Sequence, residues 1–227
     1  MSATSTSSIA LAVAAFSAGC MTCYYLWGSK KSSLTSQKKI ISELNLIPHP
    51  EGGFFREIYR SGAEPMTSMG GTDLKGELMS TNRTPSERNV MTSIHWLLND
   101  DSPNGWWCSN MSDHVHYYQA GVGMTYFIVH PDGRFETQRV GPNIEDGDVL
   151  QFVVKGGCLK ACHKAPGDFV LIGEAVAPGF DFADFRWVTG EELANKVTPD
   201  VFEAVRIYVK PDLRRNFEDY YKANKNA

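Results

Sequence analysis

Basic surplus, a cysteine framework and internal repeats are all missing from this chain of 227 residues. Lys and Arg number 22 against 26 Asp and Glu, for a net charge of -4. No stripe of cations with interleaved aromatics runs along the sequence, so a phosphate backbone finds nothing to grip and nucleic acid is not expected as a partner. The five cysteines (Cys20, Cys23, Cys108, Cys158 and Cys162) are odd in number, and two lie in an apolar run, which argues against a disulfide scaffold. Cys20 and Cys23 have CxxC spacing, but no second ligand pair or βαβ pattern accompanies them, as zinc or redox chemistry would require.

Charge is also absent from Ile9 to Gly28, "IALAVAAFSAGCMTCYYLWG". As a helix, a run of that length spans ~30 Å, the thickness of a bilayer's hydrocarbon core. No Lys or Arg precedes it, unlike the basic start of a cleaved signal peptide, whereas Lys30, Lys31, Lys38 and Lys39 follow. That asymmetry predicts a single-pass anchor in a membrane with the remainder of the chain cytosolic, and Tyr24, Tyr25 and Trp27 fit an interfacial belt. A cleaved targeting segment, with Ser17-Ala18-Gly19 as its small-residue site, and a buried core helix remain the alternatives.

The organisation that follows is a polar N-terminus over 1–8, the apolar helix over 9–28, a Ser- and Lys-rich linker over 29–37, a main domain over 38–188 and a helical extension over 189–227. A short amphipathic helix from Ser36 to Leu44 carries Ile40, Ile41 and Leu44 on one side. From Phe54 to Trp187 short apolar runs alternate with Gly, Pro, Asn and Asp clusters, a mostly β pattern of sandwich or barrel type. "NVMTSIHWLL", "HVHYYQAG", "MTYFIVH", "DVLQFVVKGG" and "DFVLIGEAVA" are the clearest strands, and Pro131, Asp132 and Gly133 mark a hairpin. Residues 59–88 read as a long mobile surface loop. After Thr189, a capping box with Glu192 and a second start at Thr198-Pro199 predict helices packed on the barrel.

"LNLIPHPEGGFFREIYRSG", "TSIHWLL", "SDHVHYYQAG", "YFIVHPDGRF", "GDVLQFVVKGG" and "VAPGFDFADF" stand in the order and spacing of the small cupins catalogued as DUF985, or cupin superfamily 5. The chain resembles that family over about residues 40–188. The resemblance implies a double-stranded β-helix of jelly-roll type, similar to the dTDP-sugar epimerase branch, commonly a homodimer, with a pocket inside the barrel.

A metal-binding cupin resembles HxH, then Glu, then Gly in its first motif, with a further His in its second, since three imidazoles and a carboxylate leave room for substrate on a transition metal. With Gly121 as the closing glycine, the glutamate position falls on His114, the two histidine positions fall near Cys108 and Asn110, and the last histidine falls near Leu159 or Lys160. No metal is expected on that ligand count, and no cofactor. His114 and His116 could themselves be the HxH pair, pointing the same way from one strand, but the sequence offers no obvious carboxylate, and His163 is the only distant third histidine. Hydrogen-bonded barrel lining and proton transfer are the other readings of this pair.

In "LIPHPEGGFFREIYRSG", Gly52 and Gly53 release the backbone for an unusual turn. Strict alternation then sends Phe54, Arg56, Ile58 and Arg60 to one face and Phe55, Glu57 and Tyr59 to the other. Arg56 is expected either to hold an anionic ligand or to pair with Glu57 or Asp181. His95 lies on the face opposite Ile94, Trp96 and Leu98, and the family resembles Tyr at that place. Gln151 matches a glutamine that the resemblance places inward. Trp106 and Trp107 fit packing or ring stacking, and the sequons at Asn82 and Asn110 are read as chance.

Two functions emerge. One is a membrane-anchored, metal-independent cupin that binds a small polar ligand, anionic or sugar-like, with His49, Arg56, Tyr59, His95, Gln151 and Asp181 as ligand-binding candidates. The other is an isomerase or epimerase whose acid-base residues come from His114, His116 and Tyr118, with His116 and Tyr118 or His114 and Tyr59 as the pair.

Overall fold

The structure is a computed structural model that describes residues 36–62 and 77–213. The apolar run, the linker before residue 36, Cys20, Cys23, part of the polar insertion and the tail from residue 214 lie outside the described residues. Among the described residues no helix is long and apolar enough to cross a membrane.

Helix α1 (Gln37–Glu43) leads into β1 (Ile47–Pro48), β2 (Phe54–Arg60), β3 (Leu78–Ser80), β4 (Glu87–Asn89), β5 (Thr92–Asn99), β6 (Asn104–Asn110) and β7 (Asp113–Gly121). Strands β8 (Met124–Val129), β9 (Phe135–Val140), β10 (Gln151–Val154), β11 (Leu159–Lys164), β12 (Phe169–Ala177) and β13 (Phe185–Trp187) follow, then α2 (Gly190–Ala194) and α3 (Pro199–Val205). The main layers are a six-stranded sheet, β1-β2-β5-β12-β7-β10, and a five-stranded sheet, β13-β6-β11-β8-β9. Their facing side chains form one core: Trp96, Leu98, Val170 and Ile172 from the first meet Met124, Tyr126, Ile128 and Cys162 from the second. This is the jelly-roll arrangement, with one part of the barrel packed solid.

Two outer clusters complete the packing. Ile40 and Ile41 of α1, with Leu44 just after it and Leu46, sit over Leu97, Phe169 and Leu171 of the larger sheet. The C-terminal helices cover the smaller sheet, where Trp107 packs with Leu193, Phe202 and Val205 and donates its indole N–H to the Val205 carbonyl at 3.1 Å. Trp107 is therefore a packing residue, while Trp106 borders a narrow crevice inside the barrel.

Two expectations are corrected. The polar insertion is not loose throughout: β3 and β4 pair as a ribbon, and beside it Arg83 and Arg88 close on Asp184 at 2.6 and 2.8 Å. Alternation along β2 is not strict either. A register shift between Glu57 and Tyr59 puts the extra residue at Ile58, so Arg60 swings to the side of Glu57 and takes its carboxylate in two 2.8 Å bonds. Arg56 makes neither expected pair, because Asp181 instead caps the backbone N–H of Ala183 at 2.7 Å.

Candidate functional site

The turn before β2 is built by its glycines. Gly52 and Gly53 have φ of 109° and 69°, and a Cβ on either would lie 2.1 Å from the Asn104 carbonyl oxygen or 2.2 Å from that of Leu97. Trp96 and Trp106 fasten the turn, the indole N–H to the Gly52 carbonyl at 2.8 Å and the Trp106 backbone N–H to the Glu51 carbonyl at 2.9 Å. His49 and Glu51 are thereby held over the open part of the barrel. His49 is a ligand-binding candidate that does border the cavities.

Three spaces meet there. The largest, about 340 Å³, is a mouth lined by Ile47, Pro48, Pro50, Phe55, Phe180, Phe182 and Phe185 with His49 and Glu51, and it has no Lys or Arg in its wall. It shares His49, Glu51, Phe55 and Phe180 with an inner chamber of about 50 Å³ bounded by Glu57, Ile94, Trp96, His114 and Glu174. A crevice of about 10 Å³ runs from Glu51 past Cys108, Tyr126 and Lys160.

The polar heart of the barrel comes from both sheets. His114 and His116 point inward from β7, and Glu174 stands opposite His116 on β12. Lys160 reaches in from β11 of the other sheet, with its Nζ 3.0 Å from Glu174 Oε1 and 3.1 Å from His114 Nδ1. All four are buried. His114 Nδ1 and Glu174 Oε1 form a very short hydrogen bond, and a carboxylate can only accept, so the shared proton belongs to Nδ1 and the Lys160 ammonium, itself only a donor, bonds Glu174 and not that nitrogen. The neutral ring then carries its lone pair on Nε2, which has no hydrogen-bond partner. The Nε2 of His116 also has none, while its Nδ1 shares a 3.0 Å hydrogen bond with the Tyr126 hydroxyl and its ring stacks on Phe152 at 5.0 Å.

The charges of this cluster follow from its packing. Burial disfavours ionisation of Glu174, yet Lys160, His116 and His114 outweigh it and hold the carboxyl well below its usual range. Burial likewise works against the Lys160 ammonium, but Glu174 and Glu51 raise its pKa above that of an ordinary lysine. Burial takes His116 down to about 3 and lowers His114, in the latter case with help from Lys160. Tyr126 and Cys108 are pushed well up, again by burial first, and the Cys108 thiol donates to Glu51 Oε2 at 3.1 Å.

Among the described residues, His114, His116 and Glu174 are the three side chains whose ligand atoms gather within 4.8 Å, a donor set suited to a transition metal. Glu174 is the carboxylate that the sequence reading did not find; His163 does not join, being bonded to Asn104 Oδ1 at 2.7 Å and set against Tyr208. The triad nevertheless does not fit a dication while Lys160 stands in it. Unit charges 4 Å apart interact by about 4 kcal/mol at an effective dielectric of 20, so a doubly charged ion faces about twice that from the ammonium.

The other candidates are dispersed. Tyr118 lies on the inner side of β7, but its hydroxyl donates to the Gly121 carbonyl at 2.6 Å. Arg56, His95 and Gln151 fall on the outer face of the larger sheet, in a cross-strand row with Gly173 and Tyr117. His95 Nδ1 meets Gln119 Oε1 there at 3.0 Å. Gln151 is exposed because Phe152, its neighbour, takes the inward position of β10. Tyr59 is half exposed, and Asp181 is committed to its cap. Glu174, Lys160, Tyr126, Glu51 and Cys108 were missed. Glu174 alone had a readable signal, as the one charge in the apolar run "FVLIGEAVA", where a buried strand demands a partner for it.

The family model described as "Cupin superfamily (DUF985)" matches residues 38–188. An uncharacterized protein of Saccharomyces cerevisiae, YML079W, is 38% identical over 171 residues, 73% of this chain and 82% of its own. Among solved structures, a hypothetical protein from Leishmania major superposes with a TM-score of 0.64 at 24% identity, over 77% of this chain and 98% of that one. Protein SO0799 from Shewanella oneidensis gives 0.62 at 27% identity, over 78% and 98%.

Proposed function

The chain belongs to the DUF985 family of cupins, and we propose that it is a metal-independent cupin that admits a small, ring-bearing carbonyl compound through its aromatic mouth and moves a proton on it inside the barrel. The observation that carries this reading is the buried Glu174–His114 pair bordering the chamber, with the imidazole Nε2 unpartnered. A carboxylate that holds Nδ1–H fixes the tautomer and aims the lone pair, which is what a general base needs. Removal of a proton beside a carbonyl leaves negative charge on the oxygen, and the Lys160 ammonium supplies the opposite charge in a place from which water is largely excluded. Return of the proton falls to Tyr126, which its raised pKa keeps protonated beside His116.

The ring-bearing part of the ligand is inferred from the mouth. Phe55, Phe180, Phe182 and Phe185 with two prolines favour a flat or sugar-like ring, and a wall without Lys or Arg gives no support to a phosphate. The anionic ligand expected from Arg56 is thereby narrowed to a neutral or enolisable one. The test is exchange in deuterated water: the chain is incubated with a panel of uncharged keto sugars and small cyclic ketones, and loss of the proton beside the carbonyl is followed by NMR. His114→Asn is expected to abolish an exchange that Tyr118→Phe leaves intact; exchange at an undiminished rate in His114→Asn overturns the reading.

A further inference from the structure

A cluster of two imidazoles and a carboxylate normally solves its electrostatic problem with an external cation. Here the problem is solved by the chain. The histidines come from one strand and Glu174 from its neighbour, all in the larger sheet, while the positive group enters from the facing sheet at Lys160. Its Nζ is within hydrogen-bond distance of two of the three donor residues, at 3.0 and 3.1 Å, and is itself buried. Glu51, Cys108 and Tyr126 border the crevice beside it, and the Cys108 thiol is spent on Glu51. The ammonium meets His114 at Nδ1, on the Glu174 side of the ring, while the Nε2 atoms of both imidazoles have no hydrogen-bond partner among the described residues.

We propose that the Lys160 ammonium is the barrel's resident cation, standing where a metal ion would otherwise be held, and that His114, His116 and Glu174 form a latent site for a divalent transition metal that opens when Lys160 is replaced. The occupant is zinc or cobalt(II) rather than calcium or magnesium, because two of three donors are imidazoles. This goes beyond the proposed proton transfer and is independent of whether any ligand is turned over.

The test uses the full chain, stripped with chelator and dialysed against zinc or cobalt(II), with bound metal measured by mass spectrometry and cobalt also by its visible absorption. The wild-type chain is expected to keep less than about 0.1 ion, and Lys160→Met and Lys160→His about one ion per chain. Adding Glu174→Gln to Lys160→Met is expected to return retention to the wild-type level. Near-stoichiometric metal in the wild-type chain that Glu174→Gln removes overturns the proposal, as does a folded Lys160→Met or Lys160→His that binds no more than wild type. Where the variants fail to fold, the wild-type chain labelled with ¹⁵N-lysine decides: the buried ammonium signal is expected to be unchanged by excess zinc, and its disappearance on saturation overturns the proposal.

Discussion

Lys160 Nζ and Glu174 Oε1, 3.0 Å apart, tie the two sheets of the barrel together through a charge pair whose side chains are only 8% and 6% exposed. Removing one partner strands the other in a low-dielectric interior. Lys160→Met and Glu174→Gln are each expected to lose about 3–5 kcal/mol of stability, and the double variant less than the sum of the two. Urea unfolding of the four proteins measures the cycle, and strict additivity would contradict direct coupling.

Asp184 gives the clearest dependence on pH. Burial opposes its ionisation, but Arg88 and Arg83 outweigh this and lower its pKa below the ordinary 3.8. A carboxylate with a depressed folded pKa contributes stability above its unfolded value, and that contribution disappears as pH falls through the folded one. Asp184→Asn is therefore expected to be less stable than wild type by about 3–5 kcal/mol at neutral pH. The gap should close as the pH drops below the ordinary carboxylate range. Thermal unfolding of both proteins from pH 7 downward reads it; a gap constant with pH would show that charge is not the cause.

Gly52→Ala tests the turn. Its methyl would meet the Asn104 carbonyl oxygen at 2.1 Å on a backbone with φ of 109°. The expected loss is at least about 2 kcal/mol, with the His49 ring signals displaced in the NMR spectrum. A variant as stable as wild type would mean the turn has a second conformation.

Pairing of two copies is proposed for the outer face of the larger sheet, away from the part that α1 covers, where Tyr117 and Val153 are 39% and 47% exposed. Sedimentation of the chain should give twice the chain mass, and Tyr117→Glu combined with Val153→Glu should give the single mass. A dimer that survives both changes uses another surface.

The anchor is proposed from the uncharged run of residues 9–28. The full chain is expected to stay with membranes after alkaline carbonate washing, and a chain lacking residues 1–35 to be released. Release of both would assign the run to a cleaved or folded segment.

The sequence was legible where a side chain's environment repeats with the backbone. Short apolar runs between Gly, Pro, Asn and Asp clusters gave the strands around His114, Met124 and Phe169, a capping box gave α2 and the proline at the start of α3 gave that helix, because each depends on neighbours within a few residues. It failed where one residue changes the count. The bulge at Ile58 turned Arg60 off the face it would have shared with Arg56 and onto that of Glu57, so an inward guanidinium was sought at the wrong position. The site was half legible: His114 and His116 lie two apart on one strand, but Glu174 and Lys160 reach them from strands 58 and 44 residues further on than His116 (174 − 116 and 160 − 116). Nothing local in "CLKAC" distinguishes a lysine at a barrel's centre from one in solvent.

Glu51 touches the mouth, the chamber and the crevice alike. Its backbone carbonyl accepts from the Trp106 N–H and its carboxylate from the Cys108 thiol, which fixes it at the junction of the three spaces. A guest reaching from the mouth into the crevice must therefore pass this one carboxylate, the residue that lines both.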